Sequence, residues 1–371
     1  MSTPTDIEKP TGLRLASQYK AIERKELDRS HYPCTLDPTS VFIYDLAYHQ
    51  SILGNEDNFA NQTTCSIFDV NGNGVGLLKP ESPMLRNATR IIFFTSKQQK
   101  GTTFASQVSL SQILARELLH TFEVSPHFVP LLLSEPEYAA PGTWHGYDST
   151  GQLSRQEFTC QHPRWNIHTK LQPCSVYMSF HKAMAATTYI VVSGDGDPII
   201  EVSKQRLKDA FTQPASSQEA SRKTSDPFFL HGVIAQESFL QSKSVITRLR
   251  HRLYDQLDVV DDDKNTREGK TELALNRDAL RGITKNLHMI SQDADVLVSS
   301  TEMGTMVVER MATAQAYLKT TSDSSSRQGH NQVEDMLKHL MHSLQSRKRW
   351  ILGYKSRKDI AMNLAGYPRS P

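Results

Sequence analysis

Two cysteines and two histidines within one short stretch of this chain carry side chains that could bind a transition metal together. They are Cys160, His162, His168 and Cys174. Thiolate and imidazole are ligands that Zn²⁺ prefers, and four of them make a tetrahedral site. Their spacing, with one, five and five intervening residues, matches none of the compact zinc knuckles, in which closely paired ligands lie on one turn. The spacing favours the alternative, in which these residues have separate roles in the core and in loops.

An acidic segment further along carries oxygen ligands at some of the positions that a helix-loop-helix calcium loop requires. The matching residues are Asp261, Asp263, Asn265 and Glu272. The sixth position, which needs glycine for a sharp turn, is Thr266, and the eighth, normally apolar, is Glu268. Asp261 and Asp263 are therefore candidate metal ligands, and these departures favour the alternative of a solvated acidic turn.

A cluster of cations near the end of the chain is mixed with aromatic residues. It comprises Arg347, Lys348, Arg349, Trp350, Tyr354, Lys355, Arg357 and Lys358. Cations that meet lipid headgroups beside an interfacial ring are typical of the membrane-facing end of a helix. The segment Arg347–Trp350 therefore predicts contact with a membrane surface. A solvated helix face and a nuclear import patch are the alternatives.

The sequence contains no motif that indicates catalysis. It has no Gly-x4-Gly-Lys-Ser/Thr phosphate loop, no His-Glu-x2-His and no nucleophile elbow. Gly72, Gly74 and Gly76 do not form a dinucleotide fingerprint, because the third glycine comes too early and no helical pattern follows. We therefore predict that the protein is not an enzyme.

Composition and charge limit the compartment and the partners. A chain of 371 residues is long enough for two domains, each with its own core. A net charge of +2 favours no nucleic-acid partner. The four cysteines show no paired spacing and no secretory signal precedes them, which indicates free thiols in the cytoplasm. No stretch approaches the roughly 20 apolar residues that a membrane-spanning helix needs.

Three long helices are predicted in the last third of the chain from apolar residues spaced three and four apart. The longest pattern, Thr271–Lys319, contains no proline, and one helix of this length would span roughly 73 Å. Its stripe comprises Leu280, Ile283, Leu287, Ile290, Ala294, Leu297, Met303, Met306, Val307, Met311, Ala314 and Leu318. The stripe upstream comprises Ile246, Leu249, Leu253, Leu257 and Val260, and the third comprises Val333, Leu337, Leu340, Leu344, Ile351 and Tyr354. The polar segment Asp261–Lys270 fits a turn between antiparallel neighbours.

Strand patterns predict a sheet domain before these helices. The predicted strands are Ser66–Val70, Ile91–Phe94, Ser175–Phe180 and Thr187–Val192, and Ser109–Phe122 is predicted as an amphipathic helix. The predicted fold class is α+β, with an N-terminal mixed α/β sheet domain followed by long antiparallel helices in a coiled-coil-like stalk. The predicted boundaries are 1–35 for a polar arm, 36–212 for the α/β domain, 213–227 for a polar linker, 228–320 for a long helical hairpin, 321–331 for a flexible linker, 332–364 for a stalk-like helix and 365–371 for a divergent tail.

Three strings in the helical region resemble the fungal CorA-like magnesium transporter family. They are Phe228–Phe239, Lys285–Ile290 and Arg349–Leu364, and the resemblance covers about residues 228–364. It implies a cytosolic α/β domain followed by helices, the last of which is a stalk that continues into the first of two membrane helices. It also implies a pentamer, in which a Gly-Met-Asn signature forms the pore entrance for hydrated magnesium.

The chain departs from this family after Leu364, where Ala365–Pro371 replaces the expected apolar span. Ala361-Met362-Asn363 only mimics the signature, because it precedes the expected membrane position. The resemblance therefore implies the cytosolic portion of a divalent-metal transporter, truncated before the pore and not transport-competent alone. The implied partners are further copies of the chain or full-length CorA-like subunits, bound through the long helices at the membrane surface, with magnesium as the implied ion. A soluble coiled-coil scaffold is the alternative.

Overall fold

A computed structural model describes twelve parts of the chain, and the fold is given for these parts alone. They are residues 39–47, 66–70, 88–98, 106–110, 115, 118–119, 122–132, 140–165, 173–212, 226–268, 277–321 and 327–366.

Eight strands form one sheet in the order β2-β1-β3-β8-β7-β6-β5, and β4 pairs with the end of β3. The strands are β1 Thr39–Ala47, β2 Ser66–Val70, β3 Ala88–Gln98, β4 Ser106–Val108, β5 Gly142–Tyr147, β6 Leu153–Gln161, β7 Ser175–His181 and β8 Ala186–Gly194. β3 and β8 are parallel, with Ile91 opposite Tyr189 and Phe93 opposite Val191. The remaining pairs are antiparallel. β5, β6 and β7 were not predicted as one meander, and only β7 had a strand pattern in the sequence.

The central strand β3 is buried on both faces, as its apolar run predicts. Because successive side chains alternate between faces, Ile91 and Phe93 belong to the core shared with the long helices. Ile92 and Phe94 belong to a second core on the opposite face. That second core is completed by short helical segments, whose buried residues include Leu118, Leu119, Phe128, Leu131 and Leu132.

Five α-helices have bounds that the structure describes, and the last three are long. They are α1 Val129–Leu132, α2 Pro198–Thr212, α3 Phe229–Glu268, α4 Arg277–Thr321 and α5 Arg327–Gly366. With 45 residues, α4 extends about 68 Å. The predicted fold class is confirmed: a mixed sheet domain is followed by long helices that pack on one another.

Ion pairs fix the directions of the long helices. Lys355 pairs with Asp295 at 2.6 Å and Lys348 with Glu302 at 2.7 Å, so α5 runs antiparallel to α4. Arg252 of α3 pairs with Asp293 of α4 at 2.5 Å. The start of α3 is held to the sheet by the Tyr189 hydroxyl and the end of α4 by the Lys182 ammonium, and α5 begins beside the end of α4. Each of the three helices has one end near the sheet and one end far from it, which we call the distal end.

The predicted stripes form the core of this helical bundle. Buried members include Leu249 and Leu253 of α3, Ile283, Leu287, Ile290, Ala294, Leu297, Val307, Met311, Ala314 and Leu318 of α4, and Val333, Leu337, Leu340, Leu344, Ile351 and Tyr354 of α5. Ile246, Leu257, Val260 and Met303 are half-buried, and Met306 is exposed while Val308 is buried in its place. The stripe drifts around α4 because 3.6 residues per turn do not keep a seven-residue repeat on one face.

Two helices begin at an Asp-Pro pair. The Asp226 carboxylate accepts a hydrogen bond of 2.8 Å from the Phe228 N–H before α3, and Asp197 accepts one of 2.9 Å from the Ile199 N–H in α2. An acidic cap satisfies a free N–H, and proline at the next position lacks the N–H that would otherwise need a partner. Helix α2 was not predicted from the sequence.

Two predicted connections are shorter than expected. The predicted turn Asp261–Lys270 is wrong in its first part, since α3 continues to Glu268. The predicted flexible linker also ends early, because α5 begins at Arg327. In the described parts of the chain, no helix is long and apolar enough to cross a membrane.

Candidate functional site

Three side chains of the types that bind transition metals converge where the sheet meets the start of α3. The Cys160 Sγ lies 3.7 Å from the His162 Nε2 and 3.6 Å from the His231 Nδ1. All three ligand atoms lie within 4.8 Å of one another, and all three residues are buried. This set of residues is called the Cys-His-His cluster below.

The strand pattern places two members of the cluster side by side. Cys160 lies near the end of β6, and His162 follows two positions later, so both side chains face the long helices. The His162 N–H donates a 2.7 Å hydrogen bond to the Cys174 carbonyl, which extends the pairing of β6 with β7. His162 is therefore held by its backbone as well as by packing.

The third member comes from the first turn of α3. The capped start of that helix is fixed by Asp226, whose second carboxylate oxygen accepts a 2.5 Å hydrogen bond from the Gln315 amide of α4. Tyr189 of β8 also donates a hydrogen bond to the Pro227 carbonyl. These contacts hold the start of α3 against the sheet and place the His231 ring over Cys160.

Aromatic rings surround His231 and keep water out. The ring of Phe158 lies edge-on at 5.0 Å, Tyr189 lies at 5.7 Å and Phe228 at 5.9 Å, all between ring centroids. Burial lowers the pKa of His162 to about 4 and lowers that of His231 well below its ordinary value. Burial also raises the pKa of the Cys160 thiol. Both imidazoles are therefore neutral near pH 7, which is the form that binds metals.

One nitrogen of His231 has no protein partner within the described parts of the chain. Its Nε2 is buried without a hydrogen bond, whereas its Nδ1 points to the Cys160 sulfur. An unpaired buried polar atom costs about 1–3 kcal/mol. The packing of the neighbouring aromatic rings, and not a hydrogen bond of Nε2, therefore holds the His231 ring at this position.

The structure brings together two of the four residues that the sequence suggested as zinc ligands. Cys160 and His162 belong to the cluster, and Cys174 lies opposite His162 just before β7, outside the converging set. His168 lies outside the described residues. His231 was missed because 71 positions separate it from Cys160. The only signal for it was a histidine in the apolar start of a predicted helix.

The other candidate metal ligands lie in a helix. The segment that contains Asp261 and Asp263 belongs to α3, so the first eight positions of the twelve-residue calcium pattern are helical. A calcium loop needs its ligands in a turn. The backbone here does not provide that turn, and a metal-binding role for these two carboxylates stays a prediction.

The cationic segment of α5 is largely engaged within the bundle. The Arg347 guanidinium lies 3.4 Å from the centroid of the Phe239 ring and donates hydrogen bonds to the Phe239 carbonyl and the Ser242 hydroxyl. Lys348 and Lys355 pair with acids of α4. Trp350, in contrast, is 62% exposed, and Arg349 beside it is exposed as well.

No protein-family model matches this sequence, and no curated protein matches it. Among solved structures, the cytoplasmic domain of ZntB from Vibrio parahaemolyticus aligns at 11% identity and a TM-score of 0.40, covering 67% of this chain and 82% of that one. The full-length CmaX protein aligns at 11% identity and a TM-score of 0.38, covering 87% and 79%. The CorA magnesium transporter from Methanocaldococcus jannaschii aligns at 10% identity and a TM-score of 0.39, covering 87% and 77%.

Proposed function

We propose that this chain supplies the sheet and the stalk of a divalent-metal transport assembly of the CorA-like type. One observation carries the proposal: the three strings that resemble this family occupy the two ends of one continuous helical bundle. Phe228–Phe239 forms the start of α3 under the sheet, while Arg349–Leu364 forms the distal half of α5. The register set by Asp295–Lys355 places Lys285–Ile290 of α4 beside that distal half.

The packing of α5 along α3 and α4 suits a helical stalk that transmits movement from the sheet to the distal end. α5 is tied to α4 near the sheet by the 2.7 Å pair between Glu334 and Lys319, and from Glu334 it extends about 48 Å to the distal end. A helix packed along its length against two others moves as a rigid body. A shift of the sheet would therefore be carried to the distal end, where a CorA-like assembly places its membrane portion.

The proposal includes self-association through the long helices. Large apolar side chains are exposed near the distal end of all three, namely Tyr254, Val259, Met289, Trp350, Leu352 and Ile360. A second copy of the chain covers such side chains without the need for a different partner, as is usual for symmetric oligomers.

The test is the solution mass of the purified chain measured by light scattering over a range of concentrations. We expect an oligomer whose mass falls towards 41.8 kDa when Trp350 and Ile360 are both replaced by serine. Val202→Ser is the matched control, because Val202 is an exposed apolar residue of α2 at the sheet. A wild-type chain that stays at the monomer mass throughout would contradict self-association.

A soluble helical scaffold is the second candidate, and the ion pairs of α5 favour it. Since Arg347, Lys348 and Lys355 contact residues of α3 and α4, few cations of this segment are left for lipid headgroups. Flotation with vesicles that contain anionic lipid separates the two candidates. The stalk proposal expects binding that is weakened in Arg349→Ser, because Arg349 is exposed and lies outside the apolar set that a second copy would cover, and the scaffold expects no binding of either protein.

A further inference from the structure

We propose that Cys160, His162 and His231 bind one transition-metal ion of the Zn²⁺ class. The site would join the end of β6 to the first turn of α3. It uses none of the residues that carry the stalk proposal's test, so either proposal can fail without the other.

The separations of the ligand atoms fit a tetrahedral metal. With a Zn–S distance of about 2.3 Å and Zn–N distances of about 2.0–2.1 Å, two ligands at the tetrahedral angle lie about 3.6 Å apart if one is sulfur. The observed separations from the Cys160 sulfur are 3.7 Å to His162 and 3.6 Å to His231. The two nitrogens lie within 4.8 Å of each other, and a tetrahedral site needs about 3.4 Å between them, so the two imidazole rings must move closer together as the ion binds.

The ligand types decide which metals fit. One thiolate and two imidazoles suit Zn²⁺ and Co²⁺, whereas Mg²⁺ and Ca²⁺ prefer oxygen ligands that this cluster lacks. The site therefore would not bind magnesium, and its ion is distinct from the one implied by the family resemblance.

Binding of the ion releases one proton, which comes from the Cys160 thiol. Both imidazoles are neutral and bind through a lone pair without losing a proton, provided that the bound nitrogen of each is the unprotonated one. The Cys160 thiol must release its proton to solvent as the Zn–S bond forms. Burial opposes the free thiolate, but the positive charge of the ion stabilises it. One proton leaves for each ion bound.

A small cavity beside His162 has room for a water molecule, although neither Cys160 nor His231 lines it. It lies between the sheet and the long helices and is lined by His162, Pro163, Trp165, Ala235, Ser238 and Gly304, among others. Its free space is close to that of a single water molecule. Cys174 is not assigned as a ligand, because its sulfur is not among the converging ligand atoms.

A metal at this position would fasten the helical bundle to the sheet. His231 belongs to α3, whereas Cys160 and His162 belong to the sheet. The ion would therefore connect the helix to the sheet through coordinate bonds. Cys160 and His231 are 71 positions apart in the sequence, so the unfolded chain does not form the site. An ion that binds the folded form alone stabilises the fold.

The experiment is a Co²⁺ titration of the full chain, treated first with chelator and kept reduced. We expect one equivalent to produce the near-ultraviolet thiolate-to-cobalt band and the visible bands of tetrahedral cobalt, and an equal amount of Zn²⁺ to remove them. Cys160→Ser and His231→Gln should lose the thiolate band. Cys174→Ser and His145→Gln should keep it, because His145 also has a buried unpaired Nε2 but lies outside the cluster.

Three results would overturn the proposal. The first is a folded wild-type chain, verified by circular dichroism, that gives no thiolate band with Co²⁺. The second is an unchanged band in Cys160→Ser, which would place the ion on another thiol. The third is loss of the band in a folded Cys174→Ser chain, which would show that the assigned ligand set is wrong. If a variant of Cys160 or His231 does not fold, the wild-type melting temperature decides: Zn²⁺ should raise it, and no shift at saturating Zn²⁺ contradicts the site.

Discussion

The ammonium group of Lys182 donates a 2.6 Å hydrogen bond to the backbone carbonyl of Thr321, the last residue of α4. Lys182 lies in the short turn between β7 and β8, so this bond joins the sheet to the end of the longest helix. The last carbonyls of a helix lack partners within it, and a cation there also interacts favourably with the helix dipole.

Replacement of Lys182 by alanine should therefore weaken the contact between the sheet and the helical bundle. We expect a loss of about 1 kcal/mol in the free energy of unfolding, measured by urea denaturation. Lys97→Ala is the control, since Lys97 and Asp195 form an exposed pair at 3.5 Å that should contribute little. An equal loss in the free energy of unfolding from the two substitutions would show that the Lys182 contact contributes no more than an exposed ion pair.

Asp226 should be among the most important polar residues of the fold. Asp226→Ala removes the cap of α3 and leaves the buried Gln315 amide without this carboxylate, with an expected loss of about 3 kcal/mol. Asp226→Asn keeps a capping oxygen and should lose less. Urea denaturation of both variants tests the order, and a more damaging asparagine would contradict this assignment.

Stability should depend on Glu334 at acid pH. Hydrogen bonds from Lys319 and Lys338 lower the pKa of Glu334 to about 2, compared with an ordinary value of 4.5. A lowered pKa stabilises the fold above the ordinary value, and this contribution disappears as the pH falls from about 4.5 towards 2. Because the carboxylate is partly exposed, the effect should not exceed about 1 kcal/mol.

The measurement is the melting temperature of wild type and Glu334→Gln between pH 7 and pH 2.5. The wild-type advantage at pH 7 should shrink as the pH falls. A difference that is constant with pH would mean that the ionised carboxylate contributes nothing.

Arg347 and Arg349 should differ in what they support, although they are two residues apart. Arg347→Met should lower stability by about 2 kcal/mol, because it removes the contacts with the Phe239 ring and carbonyl and with Ser242. Arg349→Met should leave stability unchanged within about 0.5 kcal/mol, since Arg349 is exposed. Denaturation curves of the two variants decide this, and a larger effect at Arg349 would refute it.

The helical region could be predicted from the sequence because its core follows from local spacing. Ile283, Leu287 and Ile290 are buried where their separation by three and four residues places them. The same rule could not show that α3 extends to Glu268, because acidic residues are as compatible with an exposed helix as with a turn. Asp197-Pro198 is a helix-start signal, but Gly194 and Gly196 directly before it favour a turn, and α2 was therefore not predicted.

The sheet order and the Cys-His-His cluster could not be predicted, since both depend on contacts between distant segments. Nothing local indicates that β3 pairs in parallel with β8. Likewise, the spacing of Cys160 and His162 is too short to define a metal site by itself. The cluster is complete only because α3 packs against the sheet and brings His231 next to Cys160 and His162.

The central claim is that this chain works within a divalent-metal transport assembly. The most direct test is to tag the protein at its own genomic locus, isolate membranes from the native cells and identify what purifies with it after detergent extraction. The account predicts that it sediments with membranes and purifies in a complex with CorA-like subunits that carry membrane helices and a Gly-Met-Asn signature. Recovery only from the soluble fraction, with no such subunit bound, would contradict it.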